Sequence, residues 1–283
     1  MRCSRHPARA RAVAGQEARL ERIVTRGRAV RRWRDLVLML AWRDIRIKYK
    51  QSVMGFLWAV LMPALVVGAG VAVQYGLSWY SGRPVDTANL AVVAVKSVPW
   101  AFFVASLRFA TNSLIANSTL VTKVYLPREV FPVAAVLSQF ADFCVASATL
   151  AVVLALTGAG ASAALLWVPL LVAGLVALSL GLGMFLSAGA LFFRDVKYLV
   201  DVVITFAVFF TPVFYPVEIF GRYRETALLN PVAPLLVGLA DAVVAHKTPD
   251  LAWASYSMGV SVACCVAGAI AFRRLEPLFA ERI

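Results

Sequence analysis

Apolar positions in this chain come in long unbroken runs, without the strict alternation of a half-buried strand. Six runs reach the roughly 20 residues needed to cross about 30 Å of hydrocarbon at about 1.5 Å per residue. They lie approximately at Val53–Trp79, Leu90–Asn112, Val130–Leu156, Leu165–Phe193, Leu199–Phe220 and Leu251–Phe272. The pattern predicts an all-α polytopic membrane protein with six transmembrane helices. A further apolar stretch, Pro231–Val244, holds only 14 residues and is too short to cross. It sits in the long connection Pro216–Asp250, and two arrangements suit it: re-entry from one side, or an amphipathic helix on the surface. Pro231 and Pro234 fit a helix N-terminus there. Re-entrant backbone is tolerated only where protein or a water-filled cavity covers it, so a re-entrant segment at about 216–245 would mark the mouth of a pathway.

Ahead of the first span, Arg31 to Lys50 places Trp33, Leu36, Val37 and Leu40 on one helical stripe flanked by Arg and Lys. That pattern predicts an amphipathic helix at 31–52, lying along the membrane surface. On pattern alone a simple anchor fits equally well. Residues 1–30 form a basic tail, read as flexible.

Composition sharpens the class. Of 283 residues, 61% are hydrophobic and 15% charged, with mean hydropathy +0.79. Soluble domains hold about 45–50% apolar and about 25% charged residues, so a water-soluble single-core protein is excluded. The net charge of +13 is mostly a property of the tail, because 15 of the 28 Lys and Arg lie in residues 1–52. Nucleic acid or a targeting receptor could take such a tail, but anionic lipid headgroups are the plainer partner, so no nucleic acid is expected. The first 30 residues contain no apolar core of a cleavable signal. With the N-terminus inside, the cytoplasmic pieces hold 23 Lys and Arg and the exterior loops hold 4; without the tail the balance is still 8 to 4. Both termini, including the tail at 273–283, are therefore placed in the cytoplasm.

Candidate chemistry is sparse. Cys3, Cys144, Cys264 and Cys265 form neither a disulfide framework nor a metal pattern, and His6 and His246 are far apart in sequence, so no metal site or catalytic residue is proposed. Two ionisable residues fall inside spans, Lys96 and Asp142, both about 10 Å below the outer boundary by residue count. They could pair; otherwise Lys96 snorkels and Asp142 bonds to hydroxyls such as Ser138 or Ser147. Two groups at one level are too few for a proton relay. Protease and hydrolase motifs are absent, and Gly181-Leu-Gly183 is helix-packing glycine. No G-x-x-x-x-G-K-[ST] loop occurs, so the chain carries no nucleotide cofactor of its own by that route. Aromatics cluster as Trp58, Tyr75, Trp79, Tyr80, Trp100, Phe102 and Phe103 on the first two spans, and as Phe206, Phe209, Phe210, Phe214 and Tyr215 along the fifth. Each one alone fits an interfacial belt or lipid-facing packing, whereas the group also suits a conduit on which sugar rings stack and slide.

Several segments together carry a family likeness: Pro99-Trp-Ala-Phe-Phe103, then Asn112 through Asn117, Lys123, Tyr125 and Pro127-Arg-Glu129 to Pro132. Others are Arg43-Asp-Ile-Arg-Ile-Lys-Tyr-Lys50, Gly55-Phe-Leu-Trp-Ala-Val-Leu-Met-Pro63, Phe192-Phe-Arg-Asp195, Thr211-Pro-Val-Phe-Tyr215 and Asn230-Pro231. In this order, across residues 43–231, the chain resembles the permease subunit of polysaccharide ABC exporters of the type-2 class, which move O-antigen, teichoic acid, galactan and related lipid-linked glycans. The resemblance implies a bacterial inner-membrane, multi-pass permease. It implies a homodimer working with two copies of a separate ATPase, on which ATP and Mg would reside, and not an enzyme in itself. By the same likeness, Trp33, Trp42, Arg43, Asp44, Arg46, Lys48 and Tyr49 belong to an interface helix. Residues 111–129 resemble a coupling helix, with Asn112, Asn117, Lys123, Tyr125, Pro127, Arg128 and Glu129 facing the ATPase. Arg194 and Asp195 resemble a second inner contact, and two re-entrant helices follow span five. Trp58, Tyr75, Trp100, Phe103, Phe206, Phe209, Phe210, Phe214 and Tyr215 become channel-lining candidates.

Two rivals share parts of the pattern. A drug or small-lipid exporter permease of the same superfamily would keep the topology with less aromatic lining. An ion-coupled secondary transporter would need a cluster of ionisable groups at membrane depth, which the sequence lacks.

Overall fold

The computed structural model describes residues 30–50, 57–82, 87–123, 126–156, 160 and 162–281, and every regular element among them is helical. The basic tail at 1–29, and Tyr125 among the candidate residues, lie outside the described residues. The order is α1 (30–50), α2 (Leu57–Ser81), α3 (Thr87–Ala116), α4 (Ser118–Lys123) and α5 (Val130–Leu156). A 3-10 turn, Ala163–Leu166, runs into α6 (Trp167–Phe192), followed by α7 (Asp195–Phe210), a 3-10 segment Val217–Tyr223, α8 (Arg224–Leu228), α9 (Val232–Val243) and α10 (Leu251–Leu275). The chain then turns through Glu276–Glu281.

Among the described residues, four stretches are long and apolar enough to cross a membrane: Ala88–Ala116, Val130–Leu156, Ala163–Phe192 and Leu251–Phe279. Of the other two expected spans, α2 has 25 residues and α7 has 16. At 16 residues α7 is about 24 Å long, and it stops ten residues before the predicted end at Phe220. The cause is local: Pro212 has no N–H and bars the residue before it from the α region, and Thr211 accordingly sits at φ −117°, ψ 129°.

Helix starts follow the sequence closely. Pro132, Pro169 and Pro234 are each the third residue of their helix, where a missing N–H removes nothing from the hydrogen-bond ladder. Asp250 caps α10 by accepting from the backbone N–H groups of Ala252 and Trp253 at 3.0 and 3.4 Å.

The most extensive packing is α6 against α10, and small residues permit it. A Cβ on Gly181 would collide with the carbonyl of Cys264, and one on Gly268 with the carbonyl of Gly181. Gly183 takes its place against α3, where an added Cβ would lie 2.8 Å from that of Ala110. The expected packing role of Gly181 and Gly183 is what the backbone shows. One large core gathers side chains from α3, α5, α6, α7, α9 and α10; a second occupies the end of the bundle where α1 and the C-terminal turn meet.

Candidate functional site

At that shared end, α1 does not lie free with its apolar stripe on a surface. Val37, Leu40 and Ala41 are buried, Trp33 and Leu36 partly so, all in the second core with Leu114, Val121, Phe131, Phe272 and Phe279. The stripe read from the sequence is therefore spent on protein, while Leu38, Met39, Trp42 and Ile47 stay exposed along the other edge. Arg46 stacks over Trp42, its guanidinium 5.4 Å from the ring centre.

Polar contacts fix the C-terminal half of the helix at two points. Arg43 donates to Asp44 and to the Oδ1 of Asn117, each at 2.7 Å, and Asn117 in turn donates to the carbonyl of Ser113 at 2.8 Å, so the start of the tether is the last turn of α3. Lys48 and Tyr49 both donate to the carboxylate of Asp142, near the midpoint of α5. Burial and the adjacent carboxylate push the Tyr49 phenol up, so it stays protonated and donates. The pairing of Lys96 with Asp142 considered from the sequence is thus corrected: Asp142 belongs to α1, and Lys96 to a different place altogether. Residue count along two helices gave their depth but not the directions of the side chains.

Between α3 and α5 the cytoplasmic-type helix foreseen at 111–129 resolves into three parts. Residues 111–116 continue α3, α4 covers only Ser118–Lys123, and Pro127 with Arg128 and Glu129 forms the turn into α5. Lys123 is exposed at the end of α4, which is anchored through buried Val121. Arg128 and Glu129 are used within the chain. Glu129 accepts from Arg273 at 3.0 Å. The Arg128 backbone N–H donates to the Glu276 carboxylate at 3.2 Å, and its guanidinium to the Glu276 carbonyl at 2.9 Å. Phe279 below them is fully buried, 5.3 Å from Phe272 and 5.8 Å from Phe192, ring centre to ring centre. The C-terminal turn is consequently packed structure, although its residues read as a short tail. Asn112 is half-buried on the last turns of α3, and Arg194 and Asp195 are exposed in the tight connection between α6 and α7.

At the opposite end, Lys96 is 2% exposed and caps the break after α7, donating to the carbonyls of Pro212 at 2.6 Å and Tyr215 at 2.8 Å. Gln74 on α2 donates to the carbonyl of Phe214 at 2.7 Å. Asn230 donates to the Thr211 hydroxyl at 2.9 Å and accepts from the Val232 N–H at 3.2 Å. Carbonyls freed where α7 unwinds are thereby given donors from α2 and α3, as a non-helical segment in an apolar setting requires. Gln74 was not a candidate from sequence; a lone amide in an apolar run at the level of the Thr211-Pro212 break is the signal that would have found it.

The aromatic candidates divide into two sets. Trp100 and Phe103 are buried, 5.8 Å apart in the core, so they line no open face of this chain. Phe206, Phe209 and Phe210 project outward from α7 at 58%, 66% and 74% exposure, while Val200 and Ile204 on its other side are buried. Tyr75 is exposed on α2, and Phe214 and Tyr215 are half-buried at the break; the side chain of Trp58 lies outside the described residues.

A sequence profile for the ABC-2 type transporter membrane domain matches residues 35–243. The chain belongs to the ABC-2 type transporter family. Among its relatives are two proteins named O-antigen export system permease protein RfbA from Klebsiella pneumoniae, 28% and 26% identical over 253 residues, covering 87% of this chain and 94% of each relative. A third of the same name, from Myxococcus xanthus, is 27% identical over 261 residues, covering 90% and 98%. The matched region runs from α1 to the end of α9, so the tethered α1, the α3–α5 turn and the break after α7 all belong to the ABC-2 domain. This chain is a multi-pass membrane protein and a transport subunit of that family.

Proposed function

We propose that this ABC-2 protein is the permease subunit of an ATP-driven exporter that moves a lipid-linked polysaccharide of the O-antigen, galactan or teichoic acid type out of the cytoplasm across the bacterial inner membrane. The observation that carries the reading is the outward face of α7. Leu199, Val202, Phe206, Phe209 and Phe210 recur at helical spacing, and no element among the described residues covers them. Joined to relatives named for O-antigen export, that face serves as half of a passage between two copies of the chain, with rings on which sugars slide.

In this reading α2, α3, α5, α6, α7 and α10 are the six spans and both termini are cytoplasmic. The 3-10 segment with α8 and α9 returns from the outer side as the re-entrant pair. Glu218, Arg222, Arg224 and Glu225 place charge on the outward portion and apolar α9 packs inward, which suits such a return. Two copies of a separate ATPase dock at the end shared by α1 and the C-terminal turn. There α4 with Lys123, and the α6–α7 connection with Arg194 and Asp195, offer free charge. Closure of the motor on ATP binding pushes α4 and, through Asn117 and Arg43, tilts α1.

Deleting the gene and following the glycan tests this. The expected result is loss of surface glycan with lipid-linked glycan accumulating inside, restored by the intact gene. Normal display would overturn the substrate, and loss of resistance to a small toxic compound would point to the drug-exporter reading instead.

A further inference from the structure

Two cavities meet at the Lys48–Asp142 pair, and they differ in character. The lower, of 390 Å³, lies between α1 and the ends of α3 and α5, lined by Arg43, Asp44, Asn112, Asn117, Ser138 and Gln139 among others. The upper, of 350 Å³, lies between α2, α3 and α5, and most of its wall is apolar: Val66, Val98, Ala101, Phe102, Ala105 and Phe143. Lys48, Phe109 and Gln139 line both. A chamber with charged and amide side chains on its wall, sharing that wall with a more apolar one, has the shape of a headgroup pocket with an acyl slot, and each volume falls in the range that takes one small molecule.

We infer that this bipartite cavity holds one zwitterionic glycerophospholipid of the phosphatidylethanolamine class, drawn from the leaflet beside α1. Charge selects the headgroup. The wall carries Arg43, Lys48 and Arg108 against Asp44 and Asp142, and Arg108 is taken up by Asp201 at 2.7 Å, so the remaining charges balance, with cations for a phosphodiester and carboxylates for an ammonium. A second sign is Gln139, 4% exposed. Its amide makes a 3.3 Å bond to the neighbouring Ser138 hydroxyl, and among the described residues its carbonyl oxygen accepts none, while the side chain lines the cavity. That oxygen is positioned to accept from an ammonium. The lipid would join α1 to the bundle between the Arg43–Asn117 and Lys48–Asp142 tethers. This role is separate from the glycan passage on α7.

The test is native mass spectrometry of the full chain, purified in mild detergent from nanodiscs containing equal amounts of phosphatidylethanolamine and phosphatidylglycerol. The expected result is one phosphatidylethanolamine retained per chain. It should be lost in Ala105→Trp, which fills the acyl slot, and retained at least fivefold less in Gln139→Leu. Retention of phosphatidylglycerol or of a polyprenyl phosphate in its place, no bound lipid, or undiminished retention in both variants would overturn the assignment. Because the readout is bound lipid, it stands or falls independently of whether the chain exports a glycan.

Discussion

The Nζ of Lys96 lies 2.6 Å from the carbonyl oxygen of Pro212, an ammonium on α3 holding the backbone where α7 breaks. Its second bond, to Tyr215, spans the same break three residues on. A buried Lys is expensive unless its protons are taken up, and an unwound backbone is expensive unless its carbonyls are; here each offsets the other. Replacing Lys96 with Met keeps the length and removes the donor. Two carbonyls then lose a charged donor, at about 1–3 kcal/mol each. We expect a lower melting temperature and loss of export, with Lys96→Arg retaining part of both. A Lys96→Met protein with unchanged melting and full export would show that the break needs no clamp.

The α6–α10 crossing predicts a sharper loss. A side chain at Gly181 meets the backbone of Cys264 and Cys265, which cannot rotate away as a flexible side chain would. Gly181→Val should therefore exceed the about 1–3 kcal/mol usual for overpacking and reduce folded yield. Gly259 on α10, the partner helix, has nothing within 4 Å of an added Cβ, so Gly259→Val is the matched control. Yield by fluorescence-detected gel filtration of the two variants would decide it; equal yields would remove the close crossing as a determinant of the fold.

Much of this architecture was legible because hydropathy acts at the scale of whole helices. The spans at α5 and α10 begin where the sequence placed them, and the prolines and Asp250 mark helix starts for local reasons visible in any sequence. The partners of single side chains were not legible. Lys96 and Asp142 fall at one depth by residue count, yet their helical phases send one to the α7 break and the other to α1. Arg128 and Glu129 look free in a turn, but Arg273 and Glu276, some 145 residues on, come back to meet them through Phe279 packing. Long-range pairing of this kind leaves no periodicity to read.

That last pairing separates two roles for the α3–α5 turn. Arg273 is 69% exposed at its side chain, so its bond to Glu129 contributes about 1 kcal/mol at most to folding. Glu129→Arg should then lower stability slightly and weaken export, and the exchange Glu129→Arg with Arg273→Glu should restore it. Failure of the exchange to rescue, together with loss of ATPase co-purification in Glu129→Arg alone, would assign Glu129 to the partner's surface instead.

Charge left free on this end carries the opposite expectation. Lys123 and Arg194 are exposed and form no ion pair among the described residues, so neither is needed for the fold. Reversing both to Glu should leave melting within about 0.5 kcal/mol of wild type, as surface changes do, while reducing the amount of ATPase recovered with the permease at least tenfold. Co-purification unaffected by the double reversal would take α4 and the α6–α7 connection out of the docking surface.

The face of α7 offers the most direct test of the proposed passage. Phe206, Phe209 and Phe210 are mostly exposed and touch little of their own chain, so truncation creates no cavity in the fold. Replacing all three with Leu keeps apolar area and removes the rings. Stacking contributes about 0.5–1.5 kcal/mol per aromatic contact beyond area, so a passage that guides sugars on rings should slow by at least fivefold in the triple-Leu variant, at unchanged abundance in the membrane. A passage that needs only an apolar wall, or a contact between two copies that needs only buried area, tolerates Leu. Pulse-labelled glycan appearing at the cell surface at the wild-type rate would therefore place these phenylalanines in a subunit contact or against lipid and move the sliding surface elsewhere, with Tyr75 and the half-buried Phe214 and Tyr215 next in line because they flank the same end of α7.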